Sequence, residues 1–182
     1  MRVVEVIFGV GWAAFWIYWI IAAFSSKRGR IPVRREVGIR LVIALIVLLA
    51  LRAGALRGGS LNESPLRAGI GLLLFALGLA FAIWARVHLG RNWGTPMSRK
   101  ADPELVTTGP YRRVRHPIYT GILLGLVGNA VGLSWYWLLA AGLAGVYFFY
   151  SATVEERTMT EQFPDAYPAY VSRTKMLVPF LF

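Results

Sequence analysis

The chain has 182 residues, 57% of them hydrophobic and 16% charged, with a mean hydropathy of +0.55, too apolar a balance for an ordinary soluble domain. At about 20 residues per membrane-crossing helix, that length holds roughly five or six spans and excludes a separate soluble Rossmann-type domain. There is no cysteine, which excludes disulfides, Cys-ligated metal or iron–sulfur sites and thiol nucleophilic catalysis. Two histidines, His88 and His116, are too few for a His-rich metal site, and the 20 Lys and Arg against 9 Asp and Glu leave a net charge of +11 that must be explained by its placement.

The first apolar run, residues 3–24, carries one acid, Glu5, and predicts span one. The basic cluster lies behind this run rather than in front of it, so the run is expected to stay in the mature protein rather than be cleaved as a signal peptide. Residues 39–56 predict span two, interrupted by Arg52, an intramembrane charge that is either functional or snorkels to the interface. Residues 66–87 predict span three, whose Gly69, Gly71, Ala76, Gly78, Ala80 and Ala82 permit close helix approach.

From 89 to 117 the chain turns polar and basic, and Pro96, Pro103 and Pro110 prevent a long helix, which gives a long loop of the kind that usually has a function. Residues 118–133 and 135–153 then predict a tight antiparallel pair, spans four and five. Residues 155–182 predict a short continuation of span five and an interfacial tail. The expected architecture is an all-α polytopic bundle of about five transmembrane helices. It forms a single integral membrane domain over 1–182, with three spans in 1–88 and a cofactor-binding loop, hairpin and tail in 89–182.

Fifteen of the twenty basic residues fall between spans one and two, between spans three and four with Arg86 at the end of span three included, or in the tail. All three segments lie on one side of a five-span chain. The positive-inside rule makes that side cytoplasmic and the N-terminus external, with contact to anionic membrane lipids and no nucleic acid partner. Most of the seven tryptophans are expected as interfacial anchors and lipid-facing bulk.

Chemistry concentrates at the start of span four. Pro117 suits the first turn of a helix, which puts Arg115 and His116 at a helix N-terminus where backbone N–H groups and the helix dipole favour an anionic ligand group. Gly121, Gly125 and Gly128 leave one face of that helix bare for a neighbouring helix or a flat ligand. At the far end of the hairpin, Glu155 and Glu156 point about 100° apart, so one or the other is expected to oppose Arg115 and His116 while its neighbour meets solvent.

The run Glu104-Leu105-Val106-x-x-Gly109-x-Tyr111-x-x-x-Arg115-His116-Pro117-x-Tyr119-x-Gly121, followed by an apolar hairpin, Glu155-Glu156, and then Phe163, Tyr167 and Tyr170, closely resembles the isoprenylcysteine carboxyl methyltransferase family. More broadly it resembles the membrane methyltransferases that include phospholipid N-methyltransferases. The resemblance runs from about 89 to 179 and implies S-adenosylmethionine as methyl donor, bound on the cytoplasmic side. It implies cofactor contacts from Glu104, Leu105 and Val106 through backbone, from Tyr111 in the pocket lining, from Arg115, His116, Pro117 and Tyr119, and from Glu155. A lipidic or hydrophobic small molecule is the implied acceptor. An ionised carboxylate acceptor needs no general base, whereas an amine or thiol needs a proton acceptor, for which Glu156 and His116 are the candidates.

Two positions depart from the family pattern. Ser151 stands where family members acting on prenylcysteine carry a substrate-binding arginine, and Phe163-Pro164 replaces Phe-Gly. Two other functions compete with methyl transfer. One is a nicotinamide-dependent reductase of the sterol reductase type, whose members have about twice as many spans. The other is a non-catalytic lipid-binding membrane protein, for which the long polar loop would be unnecessary.

Overall fold

The computed structural model describes residues 2–24, 29–30, 64–94, 99–100 and 104–178. Five helices follow in order: α1 (Arg2–Ala23), α2 (Pro65–Leu89), α3 (Pro117–Gly132), α4 (Trp137–Gln162) and α5 (Ala166–Arg173). The expected span two, with Arg52, lies outside the described residues. The chain is an all-α membrane bundle in which α1, α2 and α4 are long and apolar enough to cross a bilayer. At 16 residues, α3 is shorter than the roughly 20 that a span uses. The short continuation expected beyond span five is helical as far as Gln162 and carries Glu155 and Glu156 within regular helix.

The described parts of the loop after α2 are better organised than their composition suggests. Gly90 closes α2 at φ 55°, with its N–H bonded back to the carbonyls of Arg86 and Val87, a backbone state that glycine reaches at least cost. Gly29–Arg30 (β1) pairs antiparallel with Arg99–Lys100 (β2), a small ladder that joins two of the basic segments on one face of the bundle.

The bundle is centred on α2 and α3, whose small residues meet backbone to backbone. A Cβ added at Gly78 would lie 2.5 Å from Gly125 N and 2.6 Å from Gly121 O, and one at Gly128 would lie 2.5 Å from Phe75 N. The bare face of α3 is therefore used for helix packing, and no room is left on it for a flat ligand. In lipid, where apolar surface gains little by leaving the solvent, such close approach is what holds helices together. Beside this seam α1 contributes Phe8, Phe15 and Trp19, with Phe8 packed on Phe75 at a ring separation of 4.8 Å. Buried Asn129 ties α1 to α3. With its amide oriented to satisfy both neighbours, it accepts from Trp12 Nε1 at 3.0 Å and donates to Gly125 O at 3.2 Å.

Candidate active site

The segment leading into α3 is fixed by the tail. Arg115 N donates to Lys175 O at 2.8 Å, His116 N to Met176 O at 3.0 Å, and Lys175 N back to Arg113 O at 3.1 Å, a short parallel pairing. The hydroxyl of Thr120 reaches the carbonyl of Leu177. The backbone donors expected to welcome an anion at Arg115 and His116 are thus already bonded to tail carbonyls.

Arg115, His116, Glu155 and Glu156 meet here, joined by Tyr119. Arg115 grips Glu156 with two nitrogens, Nε to Oε1 at 2.7 Å and Nη2 to Oε2 at 3.4 Å, while Nη1 donates to Thr174 O at 2.7 Å. His116 lies between the two acids, with Nε2 3.3 Å from Glu156 Oε1 and Nδ1 3.5 Å from Glu155 Oε2. Tyr119 donates from its hydroxyl to Glu155 Oε1 at 2.6 Å, and its ring stacks between His116 and Phe148. Neither acid is left to solvent: Glu155 and Glu156 each take part, in different roles. The side chains of Arg115, His116 and Glu156 are only 9%, 10% and 16% exposed, so the set avoids a large desolvation penalty only by being nearly neutral as a group.

Burial alone would strip His116 of its proton, but hydrogen bonds and attraction from Glu155 and Glu156 outweigh it and raise its pKa above the ordinary imidazole value. The folded state therefore binds this proton more tightly than the unfolded chain. The stability it adds is complete below the unfolded value of about 6.5 and is lost as pH rises through the higher folded value. We expect the unfolding midpoint to fall across that alkaline window, and the fall to be absent from His116→Gln. Equal slopes in the two proteins would show that His116 is not protonated in the fold.

These groups open onto a cavity of about 510 Å³, within the size range of small-molecule sites. Eight of the residues singled out in the sequence line it: Glu104, Leu105, Val106, Tyr111, Arg115, His116, Tyr119 and Glu155. Three do not. Pro117 is buried as the first residue of α3, Glu156 sits behind Arg115 and His116, and Ser151 is fully buried one turn before Glu155, with no hydrogen-bond partner for its Oγ among the described residues. Among the described residues, no group of three or more His, Cys, Asp or Glu could hold a metal ion.

The cavity also has walls that the sequence did not reveal. Trp16 and Trp19 of α1, Asn92 and Trp93 after α2, and Tyr147 and Phe148 of α4 all line it. The tryptophans assigned to lipid contact include three of these. One signal was available: Phe8, Phe15 and Trp19 repeat on a single face of α1, a stripe that points into protein. Arg86, counted in the sequence as one of the topology-marking charges, is buried. It donates to Gly90 O at 2.8 Å and to the carbonyl of Ala22, and its guanidinium lies 4.6 Å from the centre of the Trp93 ring. Asn92 donates to Glu104 Oε2 at 2.8 Å, and Tyr170 to Tyr111 O at 2.6 Å, so loop and tail are bonded into the same wall.

The phospholipid methyltransferase family profile matches residues 66–166, more than half of the chain. The chain belongs to this family. Among its relatives, the cobalt-zinc-cadmium resistance protein CzcN of Cupriavidus metallidurans is 28% identical over 88% of this chain and 71% of its own length. Methanethiol S-methyltransferase 1 of Bradyrhizobium diazoefficiens is 35% identical over 51% of this chain, a stretch covering 30% of that protein. A protein of Oryza sativa named as a probable protein-S-isoprenylcysteine O-methyltransferase is 27% identical over 90% of this chain and 88% of its own length. The matched region of the family spans α2, the loop, α3 and α4, the elements that supply most of the cavity lining.

Proposed function

We propose that this membrane methyltransferase uses S-adenosylmethionine to methylate a lipidic or hydrophobic acceptor, at a site facing the cytoplasm with the N-terminus outside. The observation that carries the reading is the convergence of Glu104, Leu105, Val106, Tyr111, Arg115, His116, Tyr119 and Glu155 on one cavity of about 510 Å³. The lining fits the cofactor's chemistry. Glu155 offers a carboxylate to an ammonium, the non-helical stretch at Glu104, Leu105 and Val106 offers a backbone edge, and Tyr111, Tyr167 and Tyr170 offer aromatic faces. An apolar end, with Trp16, Trp19, Ile118, Ile122 and Phe148, suits an acceptor of low polarity. The names of two relatives, a methanethiol S-methyltransferase and an isoprenylcysteine O-methyltransferase, support acceptors of that kind.

When bound, S-adenosylmethionine would supply a sulfonium-activated methyl group for an acceptor nucleophile to take in line, with the neutral thioether leaving. The protein's part is to hold the reactants in that line, worth up to about 7–11 kcal/mol of the barrier. An ionised carboxylate acceptor would leave His116 and Glu156 with a positioning role. For an amine or thiol, the His116–Glu156 pair takes up the departing proton once His116 has released its own, which gives a rate that rises with pH.

Calorimetry with S-adenosylmethionine tests the site. The wild type should bind, and His116→Ala/Glu155→Ala should lose at least about tenfold in affinity, as expected for hydrogen bonds to charged groups. Unchanged affinity in the double variant would overturn the assignment. Incubation with labelled cofactor and extracted membranes then identifies the acceptor.

A further inference from the structure

The segment between the loop and α3 has two faces. Tyr111 and Arg115 turn toward the cavity, while Arg112 and Arg113 are exposed on the other side. There they rim a second hollow of about 380 Å³, whose remaining wall is Phe81 and Trp84, near the end of α2, with Gly109, Pro110 and Val114. Trp84 is 51% exposed and packs edge-on against Phe81 at 5.9 Å. On a membrane-crossing helix, such exposure is to lipid.

The hollow is held by rigid parts. Gly109, at φ 58°, sits against the His88 ring, whose Nε2 lies 2.8 Å from Thr108 Oγ1. Val114, 1% exposed, is paired with the tail at Lys175. Two arginines on the loop side and two aromatic side chains on the helix side thus line one hollow near the end of a helix long and apolar enough to cross a bilayer. That order matches the order of groups in a phospholipid, phosphate above and acyl chains below.

We propose that this hollow is a binding site for one anionic phospholipid of the surrounding leaflet. Its phosphate is held by Arg112 and Arg113, and the upper part of its chains lies on Phe81 and Trp84. The site is distinct from the cavity but shares a strip of backbone with it, so the bound lipid braces the outer side of the segment that carries Tyr111 and Arg115.

Native mass spectrometry of the full chain in detergent, titrated with phosphatidylglycerol or phosphatidylcholine, tests this. Phosphatidylglycerol should be retained preferentially, and its affinity should fall by roughly 30-fold in Arg112→Ala/Arg113→Ala, about fivefold per basic side chain. Arg67→Ala/Arg157→Ala, with the same loss of charge on exposed positions outside the hollow, should bind as the wild type does. Trp84→Ala should bind more weakly with its charge intact, and Arg112→Lys/Arg113→Lys should retain most of the affinity. Equal retention of phosphatidylglycerol by the arginine double variant, or equal affinity for phosphatidylcholine, would overturn the proposal. Displacement of the lipid by inorganic phosphate would overturn the lipid as occupant and leave a free-anion site.

Discussion

Glu156→Ala should be the most damaging single change to the candidate site, although Glu156 does not line the cavity. It would leave the buried Arg115 guanidinium without its two-point partner and leave His116 facing Glu155 alone. Removing one member of a buried ion pair costs about 3–5 kcal/mol, because the other charge stays desolvated and uncompensated. The unfolding midpoint in mild detergent should drop accordingly. Cofactor binding should weaken as well, because Arg115 also holds the tail through Thr174. Glu156→Gln keeps the shape and one acceptor oxygen and should fall between the two. A melting curve for Glu156→Ala that overlays the wild type would mean that Arg115 and His116 find other partners, and the picture of a neutral four-residue cluster would have to be abandoned.

A second large effect is expected in the seam between α2 and α3. Gly78→Ala puts a methyl group 2.5 Å from Gly125 N, against backbone that cannot rotate away. Overpacking of this kind typically costs about 1–3 kcal/mol. Gly69→Ala, on the same helix, meets nothing within 4 Å and should be neutral or stabilising by up to about 1 kcal/mol, since alanine is the better helix former. Comparing the two melting points separates a packing role from a helix-propensity role. If both variants melted together, the glycine seam would not be what holds the pair.

The helices were legible because a membrane span needs a run of apolar residues long enough to cross, and Pro65, Gly90 and Pro117 punctuate those runs. The site was legible for a different reason. Arg115, His116 and Glu155-Glu156 are costly to bury singly, so their positions at facing helix ends implied that they would meet. Their division of labour was not legible. A spacing of 100° suggests one acid in and one out, but His116 is short enough to sit between both, and Arg115 reaches past it to Glu156. Residue type alone does not tell a tryptophan that faces lipid from one that lines a cavity, since both positions favour the same side chain in a membrane; for Trp19 only its register with Phe8 and Phe15 does. The tail's part was hidden for a similar reason. Lys175 and Met176 act through backbone carbonyls, which carry no residue signature.

That backbone pairing bears on how the protein is made. Arg115 and His116 are synthesised some 60 residues before the carbonyls that hold them, and α3, α4 and α5 are completed in between. The membrane helices can therefore insert and associate while the candidate site is still unbuilt. The segment that carries Arg115 and His116 is pinned only when Lys175 and Met176 fold back onto it, so assembly of the scaffold and completion of the candidate site are separable events.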